Sequence, residues 1–364
     1  MKYRTMGKTG VKVSALGFGT MRLPLAEDGT VNEQEAVRII RAGIDSGINY
    51  VDTAYGYHNG FSENVVGKAL KDGYREKVWL ADKCPVWLVE KEGDFERLLD
   101  EQLEKLQTDH IDFYLLHALN RKRFEENVKK FSLVERMEEA RKQGKIKYIG
   151  FSFHDSLDVF EDILQYTKKW DFCQIQYNYI NLDYQAGQKG LKMAADRGLG
   201  VVIMEPLLGG SLARLSDHVV ACLPEGKTPV EYAFDFLWDQ PEVSLLLSGM
   251  GAMEQVEENL SYADRSDVGM MTQKEKQSLM RAKEVFDRMA LVNCMPCPFG
   301  LDIPASLAAW NMTALDEDDA RKAYEVLEFQ ADSCRSCGHC ERVCPQHISV
   351  SSVMKQMAGY FKKK

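Results

Sequence analysis

At 364 residues, 45% hydrophobic and 28% charged, the chain exceeds the usual single-domain length and has the composition of a globular rather than a disordered protein. A net charge of -9 repels a phosphate backbone unless a basic patch is segregated on one face, and the one basic run, residues 362–364, reads as a solvated, inert tail. The first residues lack the apolar centre of a signal peptide and no apolar run reaches ~18 residues, so the sequence predicts a cytoplasmic protein that neither spans nor docks on a membrane.

Residues 3–14 hold two short alternating runs around Gly7 and Gly10, the pattern of a hairpin. One theme then repeats: a buried apolar run ending in a polar residue, a loop, and an amphipathic helix. The predicted strands are 15–21, 49–54, 78–83, 111–117, 146–152, 172–178, 201–206 and 243–250. Helices are predicted over 32–46, 62–71, 94–107, 133–143, 155–168, 185–197, 229–239 and 253–263, with Ser62 capping the amides of Asn64 and Val65. Eight strand and helix pairs predict an α/β protein with a closed (β/α)8 barrel. An open doubly wound sheet would carry G-x-G-x-x-G at its first turn, and the run from Gly17 to Arg22 fails at the last position. The barrel domain is assigned to residues 1–267. Beyond it, helical patterns at 272–289, 303–310, 316–329 and 350–361 enclose two cysteine groups, so residues 268–364 form a small, mainly helical second domain.

Polar residues close the barrel strands at a recurring interval. Lys83 lies 31 residues after Asp52, His117 lies 34 after Lys83, Ser152 lies 35 after His117, and Gln174 follows 22 later. Spacing of about one β/α unit brings all of them to one rim.

The order Leu16-Gly17-Phe18-Gly19-Thr20, Val51-Asp52-Thr53-Ala54-Tyr55-Gly56-Tyr57, Asp82-Lys83 and Leu116-His117 resembles the aldo-keto reductase family over residues 1 to about 265. The resemblance implies a catalytic set of Asp52, Tyr57, Lys83 and His117, with Tyr57 as general acid and Tyr55 outside the set. Carbonyl reduction needs a proton donor beside the developing alkoxide, a free phenol with a pKa near ~10 is a sluggish one, and Lys83 is expected to lower that pKa while Asp52 holds the lysine charged. It also implies an NAD(P)H site made from Gly19, Thr20, Ser152, Gln174, Met204, Leu207, Gly249, Gln255, Glu258 and Asn259. Phe153 stands where the family usually has an asparagine that holds the carboxamide, with His154 as the available substitute. Gly249 and Gln255 stand where NADPH-dedicated members carry a lysine and an arginine, which favours NADH or mixed use.

Nine cysteines in a reducing compartment point to metal or redox chemistry. Cys334-x2-Cys337-x2-Cys340-x3-Cys344-Pro345 matches the bacterial ferredoxin run, in which three closely spaced thiolates hold one [4Fe-4S] cluster and the last cysteine serves another. Zinc would leave the third close cysteine unexplained. Cys297, followed by Pro298, is assigned as the fourth ligand, with Cys344 the main alternative and Cys294 a weaker one. Ferredoxin-tailed members of the family often carry two more cysteines, where Arg288 and Leu291 stand here, so a single cluster is expected. Cys84, Cys173 and Cys222 read as small buried hydrophobes. The sequence thus predicts a carbonyl reductase or alcohol dehydrogenase for a small carbonyl substrate, with a cluster that is structural or passes electrons to a partner. The alternatives are a non-catalytic nicotinamide sensor that docks a partner, and a reductase fed by ferredoxin.

Overall fold

A computed structural model of the chain describes residues 1–292, 297–313, 317–343 and 348–362, with the side chains of 288–292 and 343 outside that description. Residues 1–212 and 230–273 form one compact unit, and residues 213–229 and 274–364 a second. The segment 213–229, which the sequence reading counts with the barrel, therefore groups with the second unit. Cys222 lies in it and is half-exposed, unlike the buried Cys84 and Cys173.

The first unit opens with a hairpin of β1 (Tyr3–Thr5) and β2 (Lys12–Ser14), in which Tyr3 faces Ser14 and Thr5 faces Lys12. Eight parallel strands then close into a ring: β3 (Leu16–Gly19), β4 (Tyr50–Asp52), β5 (Trp79–Cys84), β6 (Ile111–Leu119), β7 (Ile146–Phe153), β8 (Phe172–Gln176), β9 (Gly200–Met204) and β10 (Leu245–Gly249), with β10 pairing both β9 and β3. Met6, Val11 and Val13 of the hairpin pack with Tyr50, Phe113, Phe172 and Leu245 in one buried cluster. Gly200 is required there, because any Cβ would strike the Met6 sulfur.

The helices bury the faces their apolar spacing predicts. In α1 (Glu33–Asp45) the buried residues are Ala36, Ile39, Ile40, Gly43 and Ile44, and Asn32 caps it by accepting the Glu35 N–H at 3.2 Å. Helix α2 (Ser62–Ala69) departs from expectation. Phe61 is its N-cap, with no side-chain bond to the orphan amides. The buried Ser62 hydroxyl instead meets the hydroxyls of Thr20 at 2.8 Å and Thr53 at 3.0 Å, partners that become available only when the ends of β3 and β4 converge.

Regular structure described in the second unit is helical, including Asp217–Val220, α3 (Gln273–Val292, which begins at the last residue of the first unit), α4 (Ile303–Met312), α5 (Glu317–Glu325), α6 (His339–Val343) and α7 (Val350–Phe361). Its core is Leu301, Ile303, Tyr324, Val350, Met354 and Met357, with the Tyr324 and Phe361 rings stacked at 4.1 Å. Asp302 caps α4 by accepting the Ala305 N–H at 2.9 Å.

Candidate active site

Strand ends build the site. In the β4–β5 register Asp52 faces Ala81, so Lys83, two residues further along β5, points to the same side just past the end of β4. Its ammonium donates to Asp52 Oδ1 at 2.5 Å and to the Thr53 carbonyl at 2.6 Å, and all three residues are buried. Tyr57 follows on a short turn whose next residues, His58 and Asn59, have positive φ. Its ring centroid lies 4.8 Å from Lys83 Nζ, and the His117 ring stands edge-on to it at 6.1 Å. Asp52, Tyr57, Lys83 and His117 therefore share one mouth. Tyr55 turns away and donates to Glu101 at 3.1 Å.

His117 owes its position to an irregularity absent from the sequence pattern. The β6–β7 register shifts between Leu116 and Leu119, and Ala118 takes φ +53°, a strained value for a residue with a Cβ. Two bonds hold that strain. The Ala118 N–H donates to Ser152 Oγ at 2.7 Å, and Arg123 donates to the Ala118 carbonyl at 2.8 Å.

Burial opposes the charge on Lys83, but Asp52 and Tyr57 outweigh it and hold the ammonium above the ordinary lysine value. The phenol of Tyr57 corrects a sequence expectation. Burial pushes it up by more than Lys83 pulls it down, so it rests as the neutral, protonated donor. Burial, with Lys83, His154 and Arg123 nearby, drives His117 well below its usual value and leaves it neutral at neutral pH. Its Nδ1 is buried without a partner, as is Asp52 Oδ2.

Behind the lysine lies a network the sequence reading missed. Gln102 Nε2 lies within donating distance of Asp82 Oδ2 (2.6 Å), Glu63 Oε1 (3.0 Å) and the Lys83 carbonyl (3.1 Å), while its oxygen accepts from Tyr114 at 2.7 Å. Lys105 closes the set on Glu63 at 2.8 Å. Burial, with Glu63 beside it, raises Asp82 well above the carboxylate range. The available signal was a glutamine inside the apolar stripe of the helix Asp94–Leu106, whose other buried residues include Phe95, Leu98, Leu99 and Leu106.

The cofactor candidates divide. Ser152 and Gln174 are Cα partners across β7 and β8, both buried, and Gln174 Oε1 has no hydrogen-bond partner. Met204 ends β9 and Leu207 follows it, both half-buried. Gly19 pairs with Gly249 across the β3–β10 seam. Thr20 and Asn259 turn inward: the Thr20 hydroxyl lies 3.0 Å from the Asp52 carbonyl, and the Asn259 amide donates to Ser248 at 3.1 Å. Gln255 accepts the Gly251 N–H at 2.8 Å, and Glu258 is exposed. A Cβ on Gly249 would come within 2.9 Å of Arg22 Cγ, so the aliphatic stem of Arg22 packs on this seam.

In the second unit Cys297, Cys334, Cys337 and Cys340 line one cavity together with Leu301 and Met354. As placed, no three His, Cys, Asp or Glu side chains among the described residues lie close enough together to hold a metal ion. Cys344 and Cys294, the alternative ligands, fall outside the described residues.

A closed parallel ring carrying a buried ammonium–carboxylate pair and a phenol at one rim defines a (β/α)8 oxidoreductase. A model of the aldo/keto reductase family matches residues 15–276, and the chain belongs to that family. It is 30% identical over 286 residues to an L-galactose dehydrogenase of Arabidopsis thaliana, covering 72% of this chain and 88% of the relative. Identity to an NADH-specific methylglyoxal reductase of Escherichia coli is 27% over 309 residues, 72% of this chain and 93% of that one. Among solved structures, an aldo-keto reductase from Bacillus halodurans in its holo form superposes with a TM-score of 0.66 at 27% identity, over 78% of this chain and 96% of the other. One from Klebsiella pneumoniae in complex with NADPH gives 0.64 at 26% identity, over 77% and 95%. The protein is thus an NAD(P)-dependent oxidoreductase of a family that acts on small carbonyl compounds. No helix among the described residues is long and apolar enough to cross a membrane.

Proposed function

We propose that the protein reduces the carbonyl group of a small aldehyde, ketone or quinone, or oxidises the corresponding alcohol, with Tyr57 as general acid. The observation that carries this reading is the Asp52–Lys83 pair buried beneath the Tyr57 ring. NAD(P)H, when bound, supplies the hydride. Tyr57 gives its proton to the carbonyl oxygen as that oxygen gains negative charge, and Lys83 stabilises the phenolate left behind. Asp52 holds Lys83 in place and charged. His117, kept neutral, hydrogen-bonds the same oxygen and orients it.

Gln174 Oε1, buried and without a partner, fits the N–H of a nicotinamide carboxamide, with Ser152 beside it. NADH or mixed use is favoured. Gly249 and Gln255 carry no charge where a dedicated NADPH site has two cations. The four cysteines that share a cavity are assigned to one [4Fe-4S] cluster, on the ferredoxin spacing and on that shared cavity. Thiolate sites are completed by the metal they bind, so the cluster would also order the second unit. It is structural or serves an electron-transfer partner, and the setting is the cytoplasm.

The test is Tyr57→Phe assayed with NADH and NADPH against a panel of aldehydes and quinones. The expected outcome is a fall in kcat of about 10²- to 10⁴-fold, the usual worth of a general acid, with cofactor binding retained by fluorescence. Undiminished turnover would remove Tyr57 from the role.

A further inference from the structure

Arg123 stands on the segment that follows β6, at the rim that carries His117. Its guanidinium lies 4.8 Å from the Trp87 ring centroid, and Trp87 lies 5.2 Å from the His117 ring. His117 in turn meets Tyr57. The four side chains form a row that leads outward from the proton donor to a cation.

That cation is half-buried and has no carboxylate partner among the described residues, although Arg121, two residues earlier, pairs with Asp158 and Asp162. The nearby Glu125 faces Lys129 and Arg121 instead, and Asp155 accepts from the backbone of Arg121 and Ser156. Burial weakens the basicity of Arg123 and no acid restores it. Its charge is felt by His117 and His154, which it helps to push down. One of its five N–H groups goes to the Ala118 carbonyl. A planar guanidinium with donors to spare, over an indole at the rim that carries His117, matches a carboxylate or phosphate in fork geometry.

We propose that Arg123 is the anion hook of the substrate pocket, and that the physiological substrate is a carbonyl compound carrying a carboxylate or phosphate group. This rests on the carbonyl-reductase reading of the same rim. The anionic end sits on Arg123, Trp87 flanks the connecting chain, and the carbonyl oxygen reaches Tyr57 and His117. The reaction turns C=O into CH–OH with a hydride from NAD(P)H and a proton from Tyr57. The anionic group is unchanged.

The test compares matched substrates on the full-length protein: 4-carboxybenzaldehyde against its methyl ester, and D-glyceraldehyde 3-phosphate against D-glyceraldehyde. For the wild type, kcat/KM for at least one charged member exceeds that of its neutral partner by about tenfold or more, mainly through KM, and the pair that shows it identifies carboxylate or phosphate. In Arg123→Gln the charged-to-neutral ratio falls to about one, and Arg123→Lys restores part of it. A ratio of one in both wild-type pairs overturns the proposal. So does an equal loss on all four compounds in Arg123→Gln, which would mean that the residue only clasps Ala118. Tryptophan quenching by 4-(hydroxymethyl)benzoate and by glycerol 3-phosphate separates the two readings. Arg123-dependent binding of either with no turnover of any compound would sink the reductase reading and keep the hook, whereas no binding and no turnover would overturn both.

Discussion

The barrel and the second unit organise their polar groups by opposite means. In the barrel Lys83, Asp52, Asp82, Glu63 and Gln102 are buried and joined in hydrogen bonds before any ligand arrives. In the second unit four cysteines face one cavity, Cys337 is exposed, and the core around them is small. Isolated charge in a low-dielectric interior is tolerated only on a scaffold that supplies its partners in advance. On the proposed reading of the four cysteines as a cluster site, cohesion there would come from the metal rather than from hydrogen bonds made in advance.

Three measurements break or sharpen that contrast. The largest effect is expected from Lys83→Met, which leaves Asp52 buried without its cation and should cost about 3–5 kcal/mol in urea unfolding at pH 7. A loss below ~1 kcal/mol, the scale of an exposed pair, would show that the barrel site is not preorganised by burial. Next comes Cys337→Ser, examined anaerobically after reconstitution with iron and sulfide. The wild type should hold roughly four iron atoms per chain with broad visible absorption, and the variant should lose most of both. Equal iron in the two proteins would remove Cys337 from the ligand set.

The smallest effect is a pH slope. His117 is depressed in the folded protein, so below its ordinary value of about 6.5 the unfolded chain takes up a proton that the folded one refuses. Its contribution is intact above that pH and is lost as pH falls, by at most about 1.4 kcal/mol per unit. Comparing urea midpoints of wild type and His117→Gln from pH 7.5 to 5 isolates it. The variant should show the shallower slope, and parallel curves would contradict the assigned environment.

Much of the barrel was legible in the chain because its strands are apolar runs and its helices carry stripes such as Ala36, Ile39, Ile40, Gly43 and Ile44. Strand-end polar residues were legible for the same reason: a parallel ring brings every C-terminal end to one side. What escaped depends on contacts between distant segments. Ser62 looks like a cap until Thr20 and Thr53 arrive beside it. Nothing in Leu116-His117-Ala118 announces the register slip or the left-handed Ala118, because Ser152 and Arg123, which hold it, come from elsewhere. The Tyr57 expectation weighed the lysine correctly but gave no weight to burial, which composition does not reveal. Arg22 and Arg123 are ordinary surface arginines in sequence, and only their neighbours in space single them out.

The hairpin has one more bearing on how the enzyme works. With Met6 seated against Gly200 and the axis filled by Tyr50, Phe113 and Phe172, the ring is stoppered at one end. The interior is packed core rather than a passage, so reacting molecules must approach from the rim that carries Tyr57 and Lys83. On the proposed contacts of the dinucleotide with Ser152 and Gln174, cofactor and carbonyl compound share that rim, and a compulsory order with the dinucleotide first on and last off is the expected kinetics. Double-reciprocal plots and product inhibition would display that sequence directly.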